Sequence, residues 1–81
     1  MPKTHFRSKE PPSIEEAQKI IGGYVQLVPL PDGTQMLVDE DGLAKELPLN
    51  VSASERAASA GYFPHIVGDV LILTGPARWA L

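Results

Sequence analysis

Two histidines, ten carboxylates and no cysteine are the groups with which this 81-residue chain could do acid, base or metal chemistry. His5 and His65 stand near opposite ends of it. A metal site needs a third ligand at a workable spacing, and a hydrolytic triad needs a nucleophile beside the imidazole with a carboxylate behind it. Neither pattern surrounds His65, which follows Pro64 where an exposed or backbone-bonded ring is the ordinary outcome. Asp39, Glu40 and Asp41 gather ahead of Gly42. A calcium loop alternates its ligands and ends on a distal bidentate glutamate; Glu46 is not at that offset, so the trio reads as a solvated turn. Glu15 and Glu16 would be neighbours on a helix and point apart, which rules out a glycosidase pair. Asn50 and Asp69 each stand where a turn meets an apolar run and can cap backbone groups there; a ligand role would require them to converge on one place. The residues thus point to a non-enzymatic protein with no cofactor and no metal.

The elements that must position these groups centre on Ile66–Leu73, IVGDVLIL. Val70 to Leu73 leave no polar face, so as a strand this run is covered on both sides. Gly68-Asp69 suits a turn before it, and Gly75-Pro76 stops it. Earlier in the chain, Ser13 and Glu16 have capping-box spacing, and Ile14, Ala17, Ile20 and Ile21 form one apolar stripe, which predicts a helix ended by Gly22-Gly23. The Gly pair has no strand before it and no helix after it, so it is a cap and not a phosphate loop.

Tyr24 to Leu30 alternates as a strand, with Val25 and Leu27 on one face and Tyr24, Gln26 and Val28 on the other, and Pro29 belongs to an edge or to the strand's end. Pro31 to Thr34 is a turn, Gln35 to Val38 the returning hairpin partner, and Asp39 to Gly42 a second turn. Leu43 to Asn50 is expected as a short third strand, with an irregular segment as the alternative because Pro48 interrupts it. Ser52 and Glu55 repeat the capping spacing ahead of an alanine-rich helix closed by Gly61, with Asn50 also placed to cap it. Of the aromatics, Phe63 is expected in the core, and Trp79 and Tyr24 are candidates for a partner surface. The expected fold is a small single α+β domain over 13–81, with a mainly antiparallel sheet of three or four strands and two short helices. Residues 1–12, polar and with three prolines, are expected as a flexible N-terminal arm whose one apolar anchor is Phe6.

Composition narrows the partners. The net charge of −3 argues against binding nucleic acid by phosphate neutralisation. The charge is also uneven: residues 1–12 hold three bases and one acid, and the rest of the chain nine acids and four bases. No run is long enough to span a bilayer, and no apolar segment follows the basic N-terminus, so neither a membrane nor a secretory route is expected and the cytoplasm is the expected compartment. The absence of cysteine agrees with a reducing compartment.

Taken in order, Ile21-Gly22-Gly23-Tyr24-Val25-Gln26-Leu27-Val28, Asp32-Gly33, the acidic turn with Gly42, Leu47-Pro48-Leu49-Asn50 and Val67-Gly68-Asp69-Val70-Leu71-Ile72 resemble a family of small domains of unknown function found largely in bacteriophages, plasmids and the bacteria that carry them. The resemblance implies a mobile-element source and supplies no catalytic residue. On it rests the expectation of a protein that binds a host protein and inhibits a defence or regulatory complex, through Tyr24, Asp39, Glu40, Asp41, Asn50 and Trp79. The alternative expectation is a small-molecule or nucleotide pocket at an oligomer interface, since self-association is open and a core of this size leaves little room for a cavity.

Overall fold

Val70–Leu73 is almost wholly shielded from solvent, each residue at most 1% exposed, and the rest of the chain is arranged to cover it. A computed structural model describes residues 1–80. In chain order the elements are β1 (Thr4–Arg7), α1 (Ile14–Ile21), β2 (Val25–Pro29), β3 (Gln35–Asp39), α2 (Val51–Ser59) and β4 (Val70–Leu73), followed by one 3-10 turn at Gly75–Ala77. The four strands form one sheet in the order β1-β4-β3-β2. The run without a polar face is therefore an inner strand.

Strand periodicity divides the core in two. Met36, Val70, Ile72 and Val28 face α2, which presents Ala53 and Ala57. Leu37, Leu71 and Leu73 face α1, which presents Ala17 and Ile21, with Val25, Leu27 and Trp79 at the margin. Each helix thus lies on its own face of the sheet, and the small side chains of α2 let it lie close. The α1 signals act as expected: Ser13 and Glu16 close a full capping box, and Gly22, at φ 87°, ends the helix in the left-handed conformation that an L side chain resists. Ile14 is the member of the predicted stripe that stays outside, at 61% exposure.

The α+β fold with two helices and a mainly antiparallel sheet is as expected; its one parallel pairing is β1 with β4, in register from Thr4↔Val70 to Arg7↔Leu73. Several other expectations are corrected. Residues 4–7 of the expected N-terminal arm are therefore an edge strand: their polar composition conceals them, since an edge strand can be held by its backbone ladder without burying a side chain. Leu43–Asn50 is not a strand: its first half is a succession of turns in which Glu46 takes φ 56°, and its only β-pairing is a Leu49↔Val67 bridge. Asn50, not Ser52, is the N-cap of α2, accepting from the amide of Ala53. Phe63 is 74% exposed; Tyr62 beside it takes the inward position against the α2-side core.

Candidate functional site

The hairpin β2–β3 follows from its turn. Asp32 Oδ1 accepts from both the amide and the hydroxyl of Thr34, and Arg56 of α2 pairs with Asp32 at 3.2 Å, so the turn is tied to the α2 face. Those two hydrogen bonds with Thr34, more than Arg56, hold the Asp32 carboxyl below its usual pKa. The register then sets Gln26 opposite Val38 and Val28 opposite Met36. Since Leu30 donates to Thr34 O and Glu40 to Tyr24 O, the even-numbered residues of β2 bond inward to β3. The peptide groups of Val25, Leu27 and Pro29 face outward, and β2 has no strand beyond it. Pro29 offers no N–H, so the free edge presents two donors, at Val25 and Leu27.

Beside that edge, on the α2 face, the sheet is only partly covered. The segment 62–67 leaves α2 and crosses toward Asn50, whose amide donates to Ile66 O at 2.8 Å. Between this segment and the hairpin lies a cleft of about 220 Å3 with Val28, Val38 and Ile66 among its apolar residues and Gln26, Glu40, Tyr62 and His65 among its polar ones. Leu43, 81% exposed, stands at its margin, and Tyr24, opposite Glu40, extends the same face. His65 makes no hydrogen bond to a carboxylate among the described residues, and no group of three metal-ligating side chains occurs among them. The arrangement offers an apolar seat flanked by a carboxylate and an imidazole, next to open main-chain donors.

The predicted partner residues separate. Tyr24 and Glu40 lie on this face, and both are exposed. Asp41 is also exposed but lines a different depression, with Gln18, Gly23, Tyr24 and Lys45. Asp39 departs from the expected solvated turn: its side chain is 2% exposed and its Oδ2 meets Lys45 Nζ at 2.8 Å, while its Oδ1 accepts from the Asp41 amide. Burial disfavours its charge, but the hydrogen bonds from Lys45 and Asp41 and the ammonium charge outweigh that, and its pKa lies below the usual carboxylate value. Gly23 is required there, because a Cβ would come within 2.6 Å of Lys45 Nζ and 2.9 Å of Asp39 Oδ2.

Asn50 is 2% exposed, so a partner would not reach it. Its Oδ1 accepts from Ala53 N, Thr4 Oγ1 and Ser52 Oγ, and its Nδ2 donates to Lys3 O and Gly68 O. Asp69 Oδ1 accepts from Lys3 N at 2.8 Å. Asn50 and Asp69 do converge, but on the backbone of Lys3, the residue that leads into the chain's own first strand. Trp79 is half-buried against the α1-side core and donates Nε1–H to Pro12 O, which makes it a brace. Gln26, Leu43, Tyr62 and His65 were absent from the sequence reading of the site. The hairpin register could have found Gln26, since it shares a face with Tyr24 and Val28; the path of 62–67 over the sheet is a tertiary fact with no local signal.

No curated protein and no solved structure matches the chain. A family model does, along residues 1–78, so that the first strand falls inside the match together with the hairpin and the central strand. The chain belongs to the family described as domain of unknown function DUF3846.

Proposed function

We propose that this chain is a non-enzymatic binding module that receives an extended segment of a host protein along the free edge of β2 and so removes that segment from the host's own complexes. The observation that carries the reading is the coincidence of the open Val25 and Leu27 peptide groups with the cleft on the same flank. An added strand takes affinity from main-chain hydrogen bonds, and alternate side chains of it supply specificity by entering pockets. Here the side chains directed to the α2 face would pass Tyr24, Gln26 and Val28, with one apolar group seated over Val28 and Val38. Glu40 forms no ion pair among the described residues, so a lysine or arginine flanking that apolar group is the complementary choice. A mobile-element setting, which the sequence resemblance implies, makes the partner a protein of the host. The cleft, at about 220 Å3, falls short of the roughly 300–1,000 Å3 usual for small-molecule sites, which disfavours it as the seat of a nucleotide.

A displayed library of ten-residue bacterial segments, selected on the full chain, tests the reading. Val25→Pro removes one outward donor without touching an inward bond, and Glu40→Lys reverses the charge at the cleft. Selected segments should carry an apolar residue beside a basic one and lose binding at least tenfold to both variants, with melting curves little changed. Segments bound equally well by Val25→Pro would overturn the edge-addition reading, and a library yielding no binder would count against a binding module altogether.

A further inference from the structure

We propose that the slot along β4 now filled by β1 is a strand-exchange site, and that its other occupant is the first strand of a second copy of this chain. The proposal is independent of the β2 edge. β1 buries no side chain fully: Thr4, His5 and Arg7 are half-buried and Phe6 is 63% exposed. What holds it is its backbone, together with the grip of Asn50 and Asp69 on Lys3, the Thr4 hydroxyl on Asn50, and the Arg7–Glu16 pair. These contacts are of the kind that a docked peptide makes.

The slot keeps its shape without the strand. If β1 leaves, Asn50 loses Lys3 O and Thr4 Oγ1 but retains Ala53 N, Ser52 Oγ and Gly68 O, so its side chain stays satisfied and positioned. An empty slot is nevertheless costly, because the amides of Val70 and Thr74, paired now with Lys3 O and Arg7 O, would lie open beside the fully buried Val70 and Ile72. A strand must return, and the strand that matches every polar group is an identical β1. The backbone amide of its Lys3 suits the Asp69 carboxylate, and its Arg7 guanidinium the Glu16 carboxylate, of any copy.

The connection permits the exchange. Its fixed points are the Thr74 N–Arg7 O bond and the Trp79 Nε1–Pro12 O bond, and between them Ser8, Lys9, Glu10 and Pro11 are all exposed. Pro12 biases Pro11 toward an extended backbone, and both prolines restrict the hinge, which favours an opened connection. Reciprocal exchange replaces each contact by the same contact from the partner copy and closes on a two-fold dimer.

Shortening the hinge tests this on the otherwise intact chain. A variant lacking Lys9 and Glu10 should double in mass by light scattering, with the inward amides of His5 and Arg7 still protected from hydrogen exchange. A shortened chain that stays monomeric with those amides unprotected would overturn the proposal. The unmodified chain decides the matter where the shortened one aggregates or still closes on itself. Held near millimolar concentration just below its melting temperature and then cooled, it should yield a dimer that survives tenfold dilution for hours, and a purely monomeric product overturns the exchange.

Discussion

At one edge of the sheet, β2 reaches its neighbour through the turn at Pro31–Thr34, and at the other, Lys3, just ahead of β1, meets Asp69 across 66 positions of sequence. The two strands are of similar length, yet they are held differently. β2 is half of a hairpin, antiparallel to β3, with Val28 in the core and Val25 and Leu27 against it. β1 is parallel, adds no buried side chain, and depends on side chains from elsewhere that reach its backbone. The contrast teaches that a local strand can leave its outer edge unguarded because its own turn fixes it, whereas a distant one needs a clamp. The clamp is Asn50, and the chain holds it with five side-chain hydrogen bonds at once.

Breaking that clamp should produce the largest effect. Asn50→Ala removes the α2 cap, worth about 1 kcal/mol, and strands Gly68 O, which adds roughly 1–3 kcal/mol, while Lys3 O keeps only the Val70 amide, for a loss of about 2–4 kcal/mol in urea unfolding. The loss should be uneven: hydrogen exchange at His5 and Arg7 should accelerate far more than at Gln26 and Val28. Equal acceleration at both edges would show that β1 is held as firmly by the sheet as β2 is.

The hairpin edge has its own weak point in Gly23→Ala. The added Cβ would displace Lys45 from Asp39, and the cost is about 1–2 kcal/mol since Asp39 is buried and cannot swing away into water. Exchange should now quicken around Tyr24 and Glu40 and leave His5 unchanged, the reverse of the first variant. A stability equal to the native protein's would mean that the lysine end simply moves aside.

Acid acts on the same pair. Asp39 has a lowered pKa when folded, so the stability it contributes is complete above the unfolded value of about 3.8 and is lost as pH falls through the folded one. Lys45→Met should therefore be less stable than the native protein at neutral pH by about 1 kcal/mol, with the gap narrowing as pH falls below about 3.8 and through the lowered folded value. A gap independent of pH would remove Asp39 as its cause.

Much of this contrast could be read from residues, and the unread part has a common origin. The capping box at Ser13, the stop at Gly22, the turn at Asp32-Gly33 and the apolar run at Val70–Leu73 are local signals, and each produced the element it predicts. The hairpin faces were legible too, because alternation with period two survives in Val25, Leu27 and Val28. β1 was not, since a strand fixed by backbone contacts to β4 and Asn50 carries no apolar alternation of its own. The same reason hid the role of Asn50, whose capping of α2 could be foreseen but whose grip on Lys3 could not. In the candidate site, Tyr24 and Glu40 were found by position on the hairpin, while His65 and Tyr62 arrive there by the path of 62–67, which only the packed molecule defines.

The smallest effect should come from the outermost contact of β1, the Arg7–Glu16 pair at 2.9 Å, whose side chains are 35% and 50% exposed. The hydrogen bond from Arg7, helped by the Ser13 amide and the guanidinium charge, lowers the Glu16 pKa, but a pair so open to water is strongly screened. Arg7→Ala should leave the urea midpoint within error of the native value at about 0.15 M salt, and any difference seen at lower ionic strength should vanish as salt is added. Exchange at His5 should stay protected in this variant, unlike in Asn50→Ala. If Arg7→Ala instead released β1 as fully as loss of the clamp does, the strand would hang from the helix α1 and not from Asn50, and the asymmetry between the two edges would have to be reassigned to the charge that α1 places beside one of them.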